Sequence, residues 1–468
     1  MWFSPIFERF VLKDTASHIE KSPVTVILRA LMEVVLVESK LDELFEQTAQ
    51  TGYTRELFFS NLVKMMTQVV CSIRQSIGSV YKAMSAEIGV SKTAVYDKLN
   101  RLEPCVSRAL VQSTALDLAT IIRSLRGEKS ELLPGYRIRI LDGNDLGATE
   151  HRLSVLLDTR AGALPGKSLV VLEPALGLAT DIFPCEDGHA QERSLLPEVL
   201  ETVEADDLWI GDRNFCTTGF ILGIESKQAF FLVRQHQNLP WTAESELVWV
   251  GHTDGGEVFE QTGMVSYEGK FCRCRRIVVQ LEQPTRDGET EIALLTNLPE
   301  TDAPSELVAQ LYRKRWKVET LFQVATENFH CEIKTLGYPR AALFSFCMAL
   351  VAYNLVSTLT GVLASVHDSD CREKLSYYYL AEELDATYQG MMIALPPEDW
   401  KDLGTMSLPQ FSSLLQDWGQ SVNLKAFTSS PRKPKKKKPK PTYDPRHPHV
   451  STARLLAEKK KSRGSPHK

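Results

Sequence analysis

The chain has 468 residues, of which 43% are hydrophobic and 24% are charged, and its formal net charge is −5. This composition predicts a soluble globular protein with two to four domains. Nine cysteines follow an N-terminus without a signal-like segment, which favours a reducing, cytoplasmic setting over a secreted disulfide scaffold. The spacing argues against a zinc site, because Cys272 and Cys274 form a close pair and no second Cys/His pair follows.

Charge is divided unevenly along the chain. Residues 431–468 contain 14 Lys and Arg against 2 Asp and Glu, so this tail carries +12 and the remaining body carries −17. The low apolar content of the tail predicts a basic disordered segment. Its charge indicates a polyanionic partner, and a solvated tail without a specific partner is the alternative.

Residues 1–130 have mostly helical periodicity and predict a helical N-terminal domain. Within it, residues 84–102 have the form of a helix-turn-helix, in which Gly89 supplies the turn and Ser91 caps the second helix. The side chains predicted to contact DNA in a major groove are Lys92, Thr93, Tyr96 and Lys98. An ordinary helical hairpin has the same pattern, so DNA contact is a hypothesis here.

From residue 131 onwards, short strands alternate with helices. The alternating segment 136–141 ends at Asp142, and the apolar run 207–211 ends at Asp212. Both patterns are typical of strands that deliver an acid at their carboxyl ends. The two carboxylates are expected at the same end of one sheet if their strands are parallel neighbours.

The rest of the chain divides into three further parts. Residues 236–296 predict a β-rich insertion, residues 297–365 complete the α/β domain begun at 131–235, and residues 366–430 predict further helix. Residues 341–366 contain no charge and have the length of a membrane span. Polar interruptions favour instead a helix buried on all sides within the protein.

The segment 311–326 predicts a single helix with two distinct faces. An apolar stripe predicts the buried face and consists of Leu307, Leu311, Val318, Phe322 and Ala325. Tyr312, Arg315 and Glu319 form a second stripe on the border between core and solvent. A carboxylate at this border can be held rigidly and still face a cleft. The alternative is an ordinary pair of Arg315 and Glu319, worth about 0.2–0.5 kcal/mol.

Asp142, Asp212 and Glu319 are three carboxylates that this organisation can bring together. Like charges at close range cannot all ionise without a compensating cation. Mg²⁺ binds carboxylate oxygens together with water and phosphate, and two such ions promote in-line phosphoryl transfer. The alternative for each acid alone is a cap on a helix or turn.

Four segments resemble DDE transposases of the insertion-sequence-4 type. They are Leu141-Asp142-Gly143, Ile210-Gly211-Asp212-Arg213-Asn214-Phe215, Leu294-Leu295-Thr296-Asn297-Leu298 and Tyr312-Arg313-Lys314-Arg315-Trp316-Lys317-Val318-Glu319. Tyr312, Arg315 and Glu319 reproduce three members of that family's Tyr-x2-Arg-x3-Glu-x6-Lys motif. The resemblance runs from about residue 136 to 365.

The resemblance implies an α/β fold, namely a ribonuclease-H-like mixed sheet with flanking helices, and cut-and-paste movement of DNA. It implies that Asp142, Asp212 and Glu319 bind two Mg²⁺ or Mn²⁺ ions and that Tyr312 and Arg315 bind phosphate near the cut end. The expected partners are duplex DNA, as terminal inverted repeats and target, and a second copy of the chain in a synaptic complex, with no membrane. The expected location is the bacterial cytoplasm, in association with the nucleoid.

Two features qualify the resemblance. Thr326 stands where the motif has a lysine. Loss of that cation would weaken a phosphate contact by about 1 kcal/mol. Lys317 and Lys334 are the candidates to replace the motif lysine, but neither has the helical phase of position 326. Trp241 and Trp249 in the insertion are candidates to stack on a flipped base, with core packing as the alternative for each.

Two other functions are compatible with the sequence. A related metal-dependent nuclease or resolvase would cut DNA without joining it. A repressor or inhibitor derived from a transposase would bind terminal repeats and cut nothing. The presence of all three acids favours an enzyme over the inactive binder, whereas Thr326 gives the binder some weight.

Overall fold

The structure of the chain, a computed structural model, describes residues 21–51, 56–147, 155, 162–285, 288–333, 335–368, 371–395, 397–429 and 449–464. The Lys-Pro run of the tail and Lys334 lie outside the described residues.

Helices make up the described N-terminal part, as the sequence predicts. They are α1 (Pro23–Val35), α2 (Glu38–Thr48), α3 (Phe59–Val70), α4 (Ile77–Ile88), α5 (Lys92–Arg101) and α6 (Pro104–Ser124). Apolar side chains at helical spacing bury one face of each helix; in α1 these include Ile27, Leu28 and Leu31.

A ten-stranded mixed sheet follows, which confirms the predicted α/β class. The described part of this region contains these ten strands and one more, β2: β1 (Arg137–Leu146), β2 (Gly162–Leu164), β3 (Gly166–Glu173), β4 (Leu178–Cys185), β5 (Asp207–Gly211), β6 (Phe230–Arg234), β7 (Trp241–Ala243), β8 (Val248–Thr253), β9 (Gly256–Tyr267), β10 (Lys270–Leu281) and β11 (Glu291–Thr296). The strand order is β4-β3-β1-β5-β6-β11-β10-β9-β7, with β8 paired to β9, while β2 lies outside this sheet. Strands β1, β5 and β6 are parallel, and the other pairs are antiparallel.

The β-rich segment 236–296 continues this sheet. Strand β11 pairs antiparallel with β6, so that Leu295 lies opposite Val233. Strands β10, β9, β7 and β8 then extend the sheet beyond β11. Two short helices, α7 (Leu196–Glu201) and α8 (Thr218–Ser226), lie in the connections that lead to β5 and β6. The inserted strands thus share one sheet with the two strands that carry the aspartates.

The single helix expected over 311–326 is wrong. Two helices, α9 (Ser305–Arg313) and α10 (Trp316–Glu327), meet at a turn formed by Lys314 and Arg315. The backbone there makes i to i−3 hydrogen bonds, including Arg315 N to Tyr312 O at 3.0 Å and Val318 N to Arg315 O at 3.1 Å. Both residues keep right-handed helical angles, so the break is a local tightening. Helical periodicity in the sequence does not distinguish this turn from a continuous helix.

Helix α11 (Pro339–Val366) is the buried helix that the uncharged segment predicts. Pro104–Ser124 and Pro339–Val366 both have the length and composition of membrane spans, but the most apolar window of the second is fully buried inside the protein. Asn354 of α11 accepts a hydrogen bond from Ala179 N and donates one to Ala179 O, both at 2.8 Å. The polar residues of this segment therefore attach the helix to β4.

Residues 449–464 of the tail form a strand and a helix, contrary to the prediction of a basic disordered segment. After α12 (Cys371–Lys374), α13 (Tyr377–Ala394) and α14 (Leu408–Gln420), the chain forms a strand β12 (His449–Ser451) and a helix α15 (Thr452–Gly464). Strand β12 pairs parallel with β2. Asp187 accepts a hydrogen bond from Ser451 Oγ at 2.6 Å and pairs with Arg454 Nε at 2.7 Å. These contacts with a distant loop give the segment order that its composition does not reveal.

Replacing Asn354 with Ala should destabilise the protein, because both backbone groups of Ala179 would lose their partner in a buried site. Unsatisfied buried groups cost about 1–3 kcal/mol each, so a decrease of about 2–4 kcal/mol in the free energy of unfolding is expected from urea denaturation. Ser365→Ala, at the half-buried end of the same helix, is the matched control and should change less. An unchanged midpoint for Asn354→Ala would contradict this account.

Candidate active site

Strand pairing brings the two aspartates to one end of the sheet. Strands β1 and β5 run parallel, and Ile140 pairs with Ile210. Asp142 and Asp212 each follow two residues later, so they occupy equivalent positions on neighbouring strands. The condition attached to the sequence prediction, that the two strands be parallel neighbours, is met. Strand β1 itself continues to Leu146 through its pairing with β3, so Asp142 lies within a strand rather than at its end.

Backbone amides orient both aspartates. Asp142 Oδ1 accepts a hydrogen bond from Gly143 N at 2.9 Å, and Asp212 Oδ1 accepts one from Asn214 N at 2.7 Å. Asp212 caps the short 3₁₀ helix Arg213–Phe215 through this bond. Each carboxylate is thereby fixed by one oxygen.

Arg315 links the helical acid to the first aspartate. Its Nη1 donates to Asp142 Oδ2 at 2.6 Å, and its Nη2 donates to Glu319 Oε1 at 3.2 Å. The Arg315 side chain is 11% exposed, that of Asp142 16%, and that of Glu319 44%. The guanidinium is therefore a nearly buried cation between two acids, whereas Glu319 faces solvent. The sequence prediction that Arg315 lies at the solvent border is wrong, because the tight turn rotates it inward.

The electrostatic environment favours a cation at this position. The pKa of Asp142 is raised to about 6, mainly by burial; Arg315 and the Gly143 amide oppose this rise, and the nearby charges of Asp212 and Glu319 contribute to it. An acid with a raised pKa in a cluster of acids is typical of functional sites. Arg315 supplies part of the positive charge that this cluster needs.

Tyr312 approaches the same cluster from the core side. The residue is buried, and burial is the main cause that raises the pKa of its hydroxyl to about 12. Arg315 and Asp212 are among the groups whose charges act on it. Trp316, the next residue after Arg315, is instead 59% exposed, and the guanidinium of Arg315 lies 5.4 Å from its ring centroid. The sequence analysis did not single out Trp316, although its position beside Arg315 could have indicated it.

Glu192 is a fourth acid near the two strand ends, and the sequence analysis missed it. It begins the 3₁₀ helix Glu192–Leu195, and its carboxylate accepts a hydrogen bond from the side chain of Asn214. Burial raises its pKa, and the charge of Asp212 contributes in the same direction. No local motif marks this residue, because its position depends on the loop between β4 and α7.

The helix-turn-helix has the predicted backbone. Gly89 has a left-handed φ of 69°, and Ser91 caps α5 by accepting a hydrogen bond from Ala94 N. Val95 and Leu99 are buried. The four residues predicted to contact DNA differ in exposure: Lys92 and Thr93 are exposed, and Tyr96 and Lys98 are half-buried.

Lys98 is not free to meet DNA as the sequence analysis expected. Its ammonium donates to the carbonyl of Leu57 and lies 5.1 Å from the ring centroid of Phe45. Burial lowers its pKa. These contacts direct the Lys98 ammonium towards the N-terminal helices, because the side chain lies with the buried residues of α5 and not on its outer face.

The two tryptophans of the inserted strands have different environments. Trp241 is half-buried and lies over Gly263, where an added Cβ would come within 2.3 Å of the indole ring. Trp249 is 60% exposed. Of the pair, Trp241 has the closer packing contacts, in line with the core alternative that the sequence left open.

The positions around the missing motif lysine are also informative. Thr326 is exposed on α10, and its hydroxyl lies 3.8 Å from Cys331 Sγ. Lys317 is half-buried; burial lowers its pKa, and the charges acting on it are Lys314, Glu373 and Arg372. Lys317 thus lies near Arg372 and Glu373 of the C-terminal part, so it does not occupy the position of the motif lysine.

The oxygen ligands at the strand ends suit a hard divalent cation in their chemistry. Asp142, Asp212 and Glu319 are the residues that could hold it. In the part of the chain that the structure describes, no three His, Cys, Asp or Glu side chains converge as a complete ligand set. Arg315 instead lies between Asp142 and Glu319, so ion binding requires the guanidinium to move or to share these carboxylates.

Comparison with known proteins adds a family match for this region. Residues 134–355 match the family described as "Transposase DDE domain", and Asp142, Asp212 and Glu319 lie within that range. A Sinorhizobium fredii (strain NBRC 101917 / NGR234) protein named "Putative transposase y4zB" is 27% identical over 159 residues, which is 33% of this chain and 43% of that protein. The chain thus spans less than half the length of this relative.

The raised pKa of Asp142 predicts how Asp142→Asn changes stability with pH in metal-free buffer. A folded-state pKa of about 6, above the ordinary 3.8, means that the folded protein keeps a proton that the unfolded chain releases. Wild-type stability therefore falls as pH rises from about 4 to 7, by about 2–3 kcal/mol from this group. The Asp142→Asn variant has no carboxyl group at this position and so does not lose this stability. Its free energy of unfolding relative to wild type should therefore rise between about pH 4 and 7. Urea denaturation at several pH values measures the difference, and a difference independent of pH would contradict the assignment.

Proposed function

We propose that this chain is a DNA transposase of the insertion-sequence-4 type that binds terminal inverted repeats, cleaves DNA at their ends and transfers the freed strand to target DNA. The observation that carries this proposal is the pairing of Ile140 with Ile210. It brings Asp142 and Asp212 to one sheet end, where Arg315 joins Asp142 to Glu319. The match of residues 134–355 to a transposase DDE domain supports it.

In this proposal, Asp142, Asp212 and Glu319 hold two Mg²⁺ or Mn²⁺ ions. When bound, such ions activate the attacking oxygen and stabilise the leaving oxygen of a phosphodiester. The backbone amides of Gly143 and Asn214 keep one oxygen of each aspartate fixed. The exposed carboxylate of Glu319 faces the side from which DNA arrives.

Arg315 and Tyr312 have a second role in the proposal, at the DNA end. The guanidinium of Arg315 balances the negative charge of the acids before substrate binds. Its planar set of N–H donors suits phosphate oxygens. Tyr312 is buried, and its hydroxyl interacts with Arg315. The proposed partners are duplex DNA and a second copy of the chain, and the proposed location is the bacterial cytoplasm in association with the nucleoid.

A DNA-binding inhibitor is the second candidate, and two observations favour it. Arg315 bonds directly to the Asp142 oxygen that an ion would need. Thr326, not lysine, occupies the last motif position. A protein with these features could bind terminal repeats and leave them intact. A nuclease without strand transfer would give cleaved DNA and no joined products, and this distinguishes it from a transposase.

Cleavage of a labelled duplex that carries the element's own terminal repeat, with Mg²⁺ or Mn²⁺, tests the proposal. Wild-type protein should nick at the repeat boundary, and Asp142→Ala, Asp212→Ala and Glu319→Ala should each lose more than about 100-fold, since even outer ligand partners are worth about 10–100-fold. Asp145→Ala is the matched control, because this exposed acid lies on the same strand and pairs with Lys167.

The outcomes separate the candidates. Nicking that disappears in the three variants supports the enzyme, and joined products distinguish a transposase from a nuclease. Tight binding without nicking by wild-type protein would refute the enzyme and favour the inhibitor. Cleavage retained by any one variant would remove that residue from the proposed site.

Lys92→Ala should weaken DNA binding and reduce its dependence on salt. One lost phosphate contact lowers the slope of log affinity against log salt by about 0.9 in magnitude. Lys425→Ala is the control, because it removes an exposed lysine near the end of the helical C-terminal part. Fluorescence anisotropy at several salt concentrations measures both slopes. Equal slopes for Lys92→Ala and wild type would exclude Lys92 from the phosphate contacts.

A further inference from the structure

Glu192 lies against the segment of β1 that follows Asp142. A Cβ built on Gly143 would lie 2.1 Å from Glu192 Oε1 and 3.1 Å from Oε2. The first distance is shorter than real Cβ contacts, so the carboxylate occupies the space that a side chain at position 143 would need. Glycine at 143 therefore allows an acid from a separate loop to approach the backbone next to Asp142.

Glu192 is also connected to the turn that follows Asp212. Asn214 Nδ2 donates to Glu192 Oε2 at 2.5 Å, and Asn214 Oδ1 accepts from Arg193 Nε at 3.1 Å. This pair of bonds fixes the orientation of the amide, because reversing it would place two donors and two acceptors together. The backbone N of the same Asn214 donates to Asp212 Oδ1.

The two contacts join the backbone segments that orient both aspartates. Gly143 N orients Asp142, and Asn214 N orients Asp212. Glu192 packs against strand β1 at Gly143 and accepts a hydrogen bond from Asn214 in the turn after Asp212. No ion pair to Glu192 occurs among the described residues, and Lys167 is the cation whose charge acts on it against Asp212 and Asp145. A half-buried carboxylate beside other acids lowers stability, so its placement here points to function.

We propose that Glu192 is a positioning residue: it couples strand β1 at Gly143 to the turn after Asp212 and so sets the separation of the two carboxylates. The inference rests on the proposed function, since it concerns the same site. Outer partners of this kind fix ligand geometry, and their loss typically costs about 10–100-fold in metal affinity or activity. Glu192 itself acts through Asn214 and Gly143 rather than on DNA.

Mn²⁺ binding to the full-length protein without DNA tests this role, with the electron paramagnetic resonance signal of free Mn²⁺ as the readout. Glu192→Ala should weaken binding by about 10–100-fold. Glu192→Gln keeps the shape and can still accept from Asn214, so its affinity should lie between those of wild type and the alanine variant. Glu198→Ala, an exposed acid on α7, is the control and should match wild type.

Two results would overturn the inference. Equal affinities of wild type and Glu192→Ala would show that the link does not set the site. A glutamine variant as weak as the alanine variant would show that the charge of Glu192 acts directly, as a ligand does. If Glu192→Ala does not fold, as judged by circular dichroism, Asn214→Ala removes the same link from the other side and should show the same loss.

Gly143→Ala provides an independent check. The new Cβ should displace the Glu192 carboxylate and so reproduce the effect of Glu192→Ala on Mn²⁺ affinity. The double variant Gly143→Ala/Glu192→Ala should then be no weaker than the stronger single effect, because both changes break one connection. Additive losses would mean that the two residues act separately and would overturn the inference.

The cleavage assay keeps this inference separate from the proposed function. In a cleaving wild type, Glu192→Ala should lower kcat and leave the KM for DNA unchanged, with partial rescue by glutamine. A wild type that binds Mn²⁺ with the expected order of variants and does not cleave would overturn the proposed function alone. If the wild-type protein binds no Mn²⁺, the inference is overturned. The cleavage assay then tests the proposed function independently.

Discussion

The placement of negative charge at equivalent positions of two parallel neighbouring strands is the constraint on which the site depends. Asp142, Asp212 and Glu319 would repel one another without a cation, most strongly at the nearly buried Asp142. Arg315 provides that cation, and the tight turn between α9 and α10 turns it towards Asp142.

The sequence predicts the aspartate pair well because the relevant signal is local. Each aspartate stands two residues after an isoleucine of an extended segment, and the parallel pairing of Ile140 with Ile210 is sufficient to bring the two aspartates together. The turn at Gly89 and the cap at Ser91 are predicted for the same reason, since a left-handed glycine and a capping hydroxyl are properties of adjacent residues. The burial of α11 also follows from composition, because it contains no charge over its length after Arg340.

Features that depend on distant contacts are not predictable in this way. Lys98 turns inward because Leu57 and Phe45 lie beside it. The order of residues 449–464 depends on β2 and Asp187. Arg315 has the same i, i+3 spacing in a continuous helix and in the observed turn, so periodicity cannot reveal the break. Glu192 has no motif at all, and its position becomes visible only when the loop is folded against the strands.

The described helix-turn-helix and the described sheet share one hydrophobic core. Val95 and Leu99 of α5 belong to the same buried cluster as Ile140 and Ile210, with α11 between the two regions. A continuous core of this kind is densely packed and does not bend like a linker. In the proposed function α5 is the helix that reads DNA, and within one copy of the chain its distance from the three acids is therefore fixed. The number of base pairs between a recognised sequence and the bond to be broken would then be set by the protein's own dimensions, and any adjustment would have to come from bending of the DNA.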